Sequence, residues 1–442
     1  MTDFSSLPLS QLIAPRRYAC ACGKAHASPI RQLLIAPGAI HQLADTLLHM
    51  NVHHPFVVMD SNTREAAGRQ ALTLLDGAAV AYRACTLSHP LPNEEALGAM
   101  AMQFTPDCDF VLAIGSGVIN DLCKMLGYVT GRATGVLATA PSMDGYASNS
   151  SAMETGGVKT TLYNQSPQMI LCDIDVLQNA PYEMLLSGLG DMMAKRISIC
   201  EWRIAHLLTG EYYCESVADM MRTALDKVLA SAGDLPARSP KAVQQVTEGL
   251  VLSGVAMSYA GISRPASGLE HTFSHLWEMI ALSRGRRPAP HGIQVGFGTW
   301  LTLRLYRFIA ALQPRIERAA QQEADLPLRL SASIPQTLRA SVEQDPYHMR
   351  VINADRQRRL AAHWPEIQAI IAEELHDAEL LLALMERLDM PRTPEALGLS
   401  AADVMDAFWC SRYLRPRYIT TSYLWDAGLL DLCADHLQNE VL

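Results

Sequence analysis

The sequence predicts an α/β protein with an N-terminal Rossmann-like, doubly wound parallel sheet domain and an all-helical C-terminal domain. In the first half, short apolar runs alternate with segments of helical periodicity, as is typical of a parallel sheet covered by helices on both faces. From about Gly188 onwards, long segments have helical spacing with no strand pattern between them. Because 442 residues are many for a single domain, we expect two, spanning 1–185 and 186–442.

Each predicted element follows from a local pattern. The apolar runs predict strands at 56–60, 80–87, 109–114, 135–139 and 169–172. Helical spacing between them predicts helices at 63–75, 93–104 and 119–129. In the second half, the same spacing predicts helices at 217–232, 241–259, 291–312, 354–372 and 401–414.

Composition narrows the function classes. The chain is 49% apolar, and its formal net charge of −9 argues against a nucleic acid or an anionic membrane as partner. The first ten residues lack signal-peptide features, and no apolar run is long enough for a membrane span. Ten scattered cysteines predict a cytoplasmic protein in a reducing compartment.

One cysteine cluster near the N-terminus could hold a metal, through the thiols of Cys20 and Cys22 and the imidazole of His26. Only one residue separates the two cysteines, which is unusual for a zinc site, so we favour a structural loop or hairpin.

A glycine-rich turn follows the predicted strand at 109–114 and leads into a helix. Glycines there allow backbone amides to approach a pyrophosphate, and the helix N-terminus adds positive potential. The strict dinucleotide fingerprint fails because Asn120 stands where a third glycine is expected, and a plain tight turn is the alternative. The candidate cofactor-binding residues of this turn are Gly115, Ser116, Gly117, Val118 and Ile119.

Two further stretches carry polar side chains at strand ends. Asp60 could accept hydrogen bonds from a ribose, which would favour NAD over NADP, or it could cap the helix that begins near Thr63. The loop after the strand at 135–139 contains Asp144, a candidate for binding substrate hydroxyls, and Ser142 and Ser148, candidates for lining a cofactor. The alternative for this loop is a serine-rich turn capped by its own side chains.

A histidine-rich stretch predicts a divalent metal site. His271 and His275 lie one helical turn apart, His291 opens the next apolar run, and Asp191 lies at a predicted helix start. One carboxylate and two imidazoles leave a coordination position open, as catalytic sites require. The pattern differs from that of helical zinc proteases because Glu270 precedes the histidines, and packed core histidines are the alternative.

Together these motifs resemble the sn-glycerol-1-phosphate dehydrogenases, above all their bacterial branch, in the iron-containing alcohol dehydrogenase and dehydroquinate synthase superfamily. The resemblance runs in order from about residue 31 to 291. It depends on the following strings: Gly-Ser-Gly-Val-Ile-Asn-Asp at 115–121, Pro-Ser-Met-Asp-Gly-Tyr-Ala-Ser at 141–148, Gly-Leu-Gly-Asp at 188–191, Arg-Pro-Ala-Ser-Gly-Leu-Glu-His at 264–271 with His275, and His-Gly at 291–292. The departures are mild, with Ser116 in place of a common glycine and Leu269 in place of a smaller residue.

The resemblance implies a role for each matching residue. It implies metal ligation by Asp191, His271 and His291, and catalytic roles for Asp191, His275 and Asp144, with the last two facing the substrate. Ser148 and the turn at 115–119 would contact the cofactor, Thr139 to Ser142 would lie along the nicotinamide, and Asp60 would choose between NAD and NADP. The active site would lie in the cleft between the two domains.

The implied reaction is reversible reduction of dihydroxyacetone phosphate to sn-glycerol 1-phosphate. It would need NAD(H) or NADP(H) and one divalent metal ion, which could be zinc, nickel or iron. The implied partners are a small phosphorylated triose or polyol and further copies of the chain, in a dimer or larger homo-oligomer. Candidates for binding the phosphate are Arg264 and Lys159, with the arginines at 284, 286 and 287 as an alternative that we interpret as a solvated loop.

Two alternatives to this reaction stay open. A dehydrogenase of the same fold could act on glycerol, another polyol phosphate or a phosphonate aldehyde. A carbon–oxygen lyase like dehydroquinate synthase is disfavoured, because the sequence lacks the rich set of Lys, Arg and Asn that a polyhydroxylated acid phosphate would need.

Overall fold

The computed structural model describes residue 4 and residues 6–156, 158–322, 329–349 and 351–442. These residues form two compact units. The sheet unit comprises Met1–Met192 and Glu215–Ile262, and the helical unit comprises Met193–Cys214 and Ser263–Leu442. The domain boundary at 185/186 stays a prediction, and Glu215–Ile262 is grouped with the sheet by its contacts.

A six-stranded, entirely parallel sheet forms the centre of the sheet unit, with strand order β3-β10-β7-β6-β4-β5. Two short antiparallel hairpins, β1–β2 and β8–β9, lie outside it. The strands are β1 Tyr18–Ala19, β2 Ala25–His26, β3 Gln32–Ala36, β4 Pro55–Asp60, β5 Arg83–Leu87, β6 Phe110–Gly115, β7 Ala133–Ala138, β8 Ser150–Thr155, β9 Val158–Tyr163 and β10 Met169–Asp173.

Strand order creates a crevice at one place on the carboxyl edge of the sheet. From β4 the chain crosses to β5 on one side, whereas from β6 it crosses to β7 on the other side. β4 and β6 are neighbours, paired from Pro55↔Phe110 to Val58↔Ala113. Open parallel sheets bind ligands at such a reversal of strand order. Asp60 and Gly115, the last residues of these two strands, therefore lie where such a sheet binds a ligand.

Buried apolar strands explain why the sheet forms. Every residue of β6 is buried, as are five of the six in β4, which suits central strands covered on both faces. One core cluster joins the strands to apolar side chains of the helices at 43–49 and 69–77. Ten α-helices belong to the described part of the sheet unit. They are α1 Leu9–Leu12, α2 Leu43–His49, α3 Ser61–Thr63, α4 Arg69–Gly77, α5 Glu94–Ala101, α6 Gly117–Thr130, α7 Ile174–Leu177, α8 Tyr182–Met193, α10 Glu215–Ala232 and α11 Pro240–Ala260.

The helical unit contains no strand among its described residues. None of the helices in the described part of the chain is long and apolar enough to cross a membrane. The α-helices of this unit are α9 Lys195–Thr209, α12 Leu269–Ser283, α13 His291–Ile309, α14 Gln336–Gln344, α15 Ala354–Ala362, α16 Trp364–Glu374, α17 Ala378–Arg387, α18 Ala401–Cys410, α19 Thr420–Asp426 and α20 Leu430–His436.

The predicted fold class, a parallel sheet domain followed by a large helical part, is confirmed. Each predicted strand corresponds to an observed one, although β5 begins only at Arg83. The edge strand β3 and the hairpin β8–β9 were not predicted. The apolar run of β3 is only four residues long, at 33–36, and β8–β9 is rich in serine and threonine. The segment predicted as one helix at 354–372 is two, α15 and α16, which are separated at His363 just before Pro365.

Candidate functional site

The turn between β6 and α6 has the geometry of a phosphate-binding loop. Gly115 ends the strand, Ser116 precedes the helix, and Gly117 is the first helical residue. A Cβ on Gly115 would lie 2.6 Å from Cβ of Ile119, so only glycine fits there. The helix N-terminus follows directly, and its backbone N–H groups suit an anion. The turn thus brings the five predicted residues 115–119 to the crevice at the carboxyl edge of the sheet.

A second loop, residues 139–151, is fixed to this turn and helix. Thr139 N–H donates to the carbonyl oxygen of Gly115 over 3.1 Å. The buried Lys124 ammonium group donates to Gly145 O at 3.1 Å and Ser148 Oγ at 3.2 Å, and it pairs with Asp121 at 3.1 Å. Ser148 therefore has a structural partner in Lys124, and its predicted cofactor contact stays a prediction. Sequence reasoning missed Lys124 as the residue that shapes this loop.

Two predicted site carboxylates lie next to each other in the sheet unit. The backbone N–H of Asp144 donates to Oδ2 of Asp191 at 2.9 Å, and Ser253 donates its hydroxyl to Oδ2 of Asp144 at 2.7 Å. Asp191 is completely buried, and Asp144 is almost so. Buried carboxylates that accept hydrogen bonds are held in one orientation. Ser253, on α11, was not predicted, because its contact spans 109 residues.

A close approach between a loop and α8 explains why the first residue of the Gly-Leu-Gly-Asp string, Gly188, is glycine. A Cβ on Gly188 would lie 1.9 Å from the carbonyl oxygen of Pro141, so the loop at 139–151 rests directly on the backbone of α8. The next residue back, Ser187, donates its hydroxyl to the carbonyl of Ser142 over 2.8 Å. Gly188 and Ser187 thereby position the loop one helical turn from Asp191, which lies near the end of α8 and not at a helix start as predicted.

Asp60 is a helix cap in this structure. Its Oδ1 accepts from the backbone N–H groups of Asn62 and Thr63, both at 2.8 Å. Thr63 completes a capping box by accepting from the N–H of Asp60 at 2.9 Å. Helix capping is the alternative that the sequence analysis considered for Asp60. The capping carboxylate lies at the carboxyl end of β4. Its role in choosing between NAD and NADP stays a prediction.

In the helical unit, three histidines converge where α12 and α13 meet. The ring centroids of His271 and His291 are 5.5 Å apart, and those of His275 and His291 are 5.7 Å apart. Glu278 faces two of the rings, with an oxygen 3.5 Å from Nδ1 of His275 and another 3.8 Å from Nδ1 of His291. Burial lowers the pKa of His275 to about 3, so its imidazole is neutral at physiological pH.

A buried glutamate orients the first histidine. Nδ1 of His271 lies 2.8 Å from Oε1 of Glu270, and a carboxylate can only accept, so this nitrogen carries the proton. The lone pair of His271 is therefore on Nε2, as metal-binding imidazoles require. Gly268 N–H donates to the same oxygen at 2.7 Å. Burial and the charge of Glu270 raise the pKa of Glu201, another buried carboxyl group of this unit.

A small cationic cavity lies beside His275. Two arginines, Arg415 and Arg417, line it together with His275, and its other lining residues are Ser267, Thr272, Ser411, Leu414 and Ile419. Arg417 donates to neutral groups, namely the carbonyl and hydroxyl oxygens of Ser267 at 3.0 and 3.1 Å. Burial and the neighbouring guanidinium groups of Arg264 and Arg415 lower the pKa of Arg417 to about 10. An anion beside these guanidinium groups would relieve that repulsion. The cavity itself, about 10 Å³, has room for about one water molecule, so the side chains around it must move apart to admit a phosphate.

The phosphate-binding candidates named from sequence have other partners. Arg264 forms a two-pronged ion pair with Glu211, and Arg284 does the same with Asp403. Lys159 lies on β9, in the sheet unit. Sequence reasoning assigned no role to Arg417, which lies 142 residues beyond His275.

The sheet topology, glycine turn and histidine helices together have the architecture of the iron-containing alcohol dehydrogenases, a class of oxidoreductases. The family model described as "Iron-containing alcohol dehydrogenase" matches residues 34–181. A solved structure of a probable glycerol dehydrogenase from Sinorhizobium meliloti aligns with 93% of this chain and 98% of its own, with a TM-score of 0.61 at 15% identity, which supports the fold.

Sequence relatives narrow the class. A protein from Halalkalibacterium halodurans named glycerol-1-phosphate dehydrogenase [NAD(P)+] is 34% identical over 294 residues, which are 65% of this chain and 74% of the relative. A protein of the same name from Geobacillus thermodenitrificans is 28% identical over 91% of this chain and 93% of its own. The chain belongs to the glycerol-1-phosphate dehydrogenase family of iron-containing alcohol dehydrogenases.

Proposed function

We propose that this protein catalyses the reversible, NAD(P)H-linked reduction of dihydroxyacetone phosphate to sn-glycerol 1-phosphate, with a divalent metal held by Asp191, His271 and His291. The observation that carries the substrate class is the cluster of Arg415, Arg417 and the neutral imidazole of His275 around one small cavity. Two guanidinium groups beside a hydrogen-bonding imidazole suit a small molecule with a phosphate at one end and a carbonyl near the other.

The proposed ligands fit a divalent metal by their chemistry. Glu270 holds the Nδ1 proton of His271, so the Nε2 lone pair is available for ligation. Asp191 is completely buried, and a buried carboxylate is stabilised by a cation. One oxygen and two nitrogen donors suit zinc, nickel or iron, and they leave positions for a substrate. When bound, the metal supplies Lewis acidity towards a carbonyl oxygen and the dinucleotide supplies hydride.

The chain's own side chains would bind and orient the substrate. We assign Arg415 and Arg417 to the phosphate and Asp144 to a substrate hydroxyl, for which the Ser253 contact fixes the carboxylate. His275 would donate a hydrogen bond through a ring N–H. Because burial keeps this imidazole neutral, it can relay a proton from water but does not store one as imidazolium. Glu278, 3.5 Å from Nδ1 of His275, would orient the ring.

The cofactor would occupy the reversal of strand order in the sheet unit. The pyrophosphate is assigned to the turn at 115–119 and the N-terminus of α6, and the nicotinamide side to Thr139 and Ser142. Asp60, at the end of β4, would lie near the adenosine ribose and disfavour a 2′-phosphate. The proposal also includes a cytoplasmic location, where this cofactor is available, and a homo-oligomeric assembly.

A substrate panel tests the proposal. NADH oxidation by metal-reconstituted protein would be followed with dihydroxyacetone phosphate, dihydroxyacetone and glyceraldehyde 3-phosphate. We expect the value of kcat/KM for dihydroxyacetone phosphate to exceed that for dihydroxyacetone by at least ~100-fold, since two charge-assisted contacts to phosphate are lost. Equal rates on the two ketones would favour the alternative, a polyol dehydrogenase of the same fold, and would refute the assignment of the arginine cavity.

A further inference from the structure

The N-terminal hairpin of the sheet unit concentrates metal-binding side chains. Strands β1 and β2 are only two residues long each, which is too short for a hairpin to be stable unaided. The turn between them contains Cys20 and Cys22, and β2 ends at His26. The turn is tight: Gly23 has φ of +85° and donates its N–H to the carbonyl oxygen of Cys20 at 3.1 Å. Side-chain contacts with the end of α11 add to the two backbone pairs, as in the 2.9 Å hydrogen bond that Lys24 donates to the carbonyl oxygen of Ala260.

The spacing of the ligand atoms is close to that of a zinc site. Sγ of Cys20, Sγ of Cys22 and a ring nitrogen of His26 all lie within 4.8 Å of one another. Sγ of Cys22 is 3.3 Å from Nε2 of His26. In a tetrahedral zinc site the sulfur–nitrogen edge is about 3.6 Å and the sulfur–sulfur edge about 3.8 Å, from ordinary Zn–S and Zn–N bond lengths. The three atoms therefore need little movement to share one ion.

His26 is oriented for ligation through Nε2. Its Nδ1 lies 2.7 Å from the carbonyl oxygen of Tyr259, which can only accept, so the proton is on Nδ1. The ring stacks on that of Tyr259, with centroids 5.3 Å apart and planes inclined by 11°. His26 is 1% exposed. Nδ1 of this buried imidazole thus donates to a backbone carbonyl, while Nε2 faces a thiol. Histidines that bind structural metals usually have this arrangement.

A third thiol, and so a fourth ligand, comes within reach at the start of α10. Sγ of Cys20 is 3.8 Å from the hydroxyl oxygen of Ser216, in the first turn of that helix. Cys214 precedes Ser216 by two residues, so its backbone lies within about 7 Å of that of Ser216. Cys214 is buried, and all ten cysteines, which lie in the described part of the chain, are without disulfides.

We propose that Cys20, Cys22, His26 and Cys214 bind one structural Zn²⁺ ion. Three thiolates and one imidazole form a closed tetrahedral set that favours zinc and leaves no position for a substrate. The ion fastens the N-terminal hairpin to the start of α10 and, through His26, to the end of α11. The remote fourth ligand explains why the spacing of Cys20, Cys22 and His26 alone did not indicate zinc. This site is separate from the carboxylate and imidazole ligands of the proposed active site.

Metal content and cobalt absorption of the full-length protein test this proposal. Purified protein should hold zinc that survives mild chelation, and Cys22→Ser or Cys214→Ser should each lose one zinc per chain. Cys433→Ser, which alters a buried thiol on α20, is the matched control and should keep that zinc. Protein reconstituted with Co²⁺ should show thiolate-to-cobalt charge-transfer absorption, which the proposed active site cannot produce because its ligands include no thiolate.

The wild-type measurements decide the matter even if the cysteine variants fail to fold. A mercurial reagent should release one zinc per chain as the thiols react. Absence of both chelator-resistant zinc and the charge-transfer band in wild-type protein would overturn the proposal and leave a Cys22 to His26 hydrogen bond in its place. Asp191→Asn separates the two sites, because it should weaken metal binding at the active site without changing the charge-transfer band.

Discussion

Glu270, a completely buried carboxylate, accepts a hydrogen bond from the Nδ1–H group of its sequence neighbour His271 over 2.8 Å. The contact fixes the tautomer of the imidazole and raises the basicity of Nε2. Glu270→Gln keeps the size of the side chain and removes its charge. We expect the affinity of the active site for a divalent metal to fall roughly 10–100-fold, as happens when such supporting carboxylates are lost.

Titration of chelator-treated protein with Ni²⁺ would measure this affinity. Glu374→Gln is the matched control, because Glu374 is also buried in the helical unit but pairs with Arg203. An unchanged dissociation constant for Glu270→Gln would show that the glutamate does not support the ligand.

Arg417→Ala tests the cationic cavity. The variant should raise KM for dihydroxyacetone phosphate by roughly 10–100-fold, the value of one charge-assisted hydrogen bond to phosphate. Activity on unphosphorylated dihydroxyacetone should change little, which separates phosphate binding from the contacts of Arg417 with Ser263 and Ser267. The exposed pair of Arg392 with Glu386 supplies a control, Arg392→Ala, with unchanged kinetics. Parallel losses on both ketones would assign Arg417 a purely structural role.

Gly188→Ala tests the close contact between α8 and the loop at 139–151. The added Cβ would lie 1.9 Å from the carbonyl oxygen of Pro141, so the loop at 139–151 must move. We expect the free energy of unfolding to drop by about 1–3 kcal/mol, and kcat to fall because Asp144 is displaced. Urea unfolding and steady-state kinetics would measure both.

Gly98→Ala is the control, because a Cβ on that exposed helical glycine meets nothing within 4 Å. It should leave stability unchanged or raise it by about 0.5–1 kcal/mol. Native stability and full activity in Gly188→Ala would contradict the close approach of the loop to α8.

Asp60→Ser separates the two roles of this residue. Serine caps helices about as well as aspartate, so unfolding should be little affected, whereas Asp60→Ala should cost about 1 kcal/mol. If the carboxylate also repels a 2′-phosphate, the ratio of NADPH to NADH affinity should rise in both variants. Fluorescence titration with each cofactor gives that ratio. An unchanged ratio in both would restrict Asp60 to capping.

Residue patterns predicted those parts of the fold that depend on local burial. The central strands β4 and β6 are continuous apolar runs because both faces are covered, and such runs are visible in a sequence. Strand β3 was missed because its apolar run, at 33–36, has only four residues, the shortest run that indicates a strand; at the sheet edge none of its residues is fully buried. The hairpin β8–β9 is rich in serine and threonine and has no apolar alternation.

The candidate site was predictable where spacing or family motif carries the chemistry. His271 and His275 are one helical turn apart, and the structure brings their rings to His291. Contacts between remote segments could not be predicted. The hydrogen bond from Ser253 to Asp144 depends only on tertiary packing, and so does the position of Arg417 beside His275. Lys124, which lies on α6 four residues after Asn120, has no local feature that indicates its contact with Ser148.

The stereochemistry of the product is the most direct test of the proposed reaction. Metal-reconstituted protein would be incubated with NADH and dihydroxyacetone phosphate, and the glycerol phosphate formed would be assigned as the sn-1 or sn-3 isomer with a stereospecific coupling enzyme. We expect the sn-1 isomer alone, with formation abolished by a chelator and by His271→Ala. Formation of the sn-3 isomer, or turnover that survives both treatments, would contradict the proposed substrate geometry and metal site.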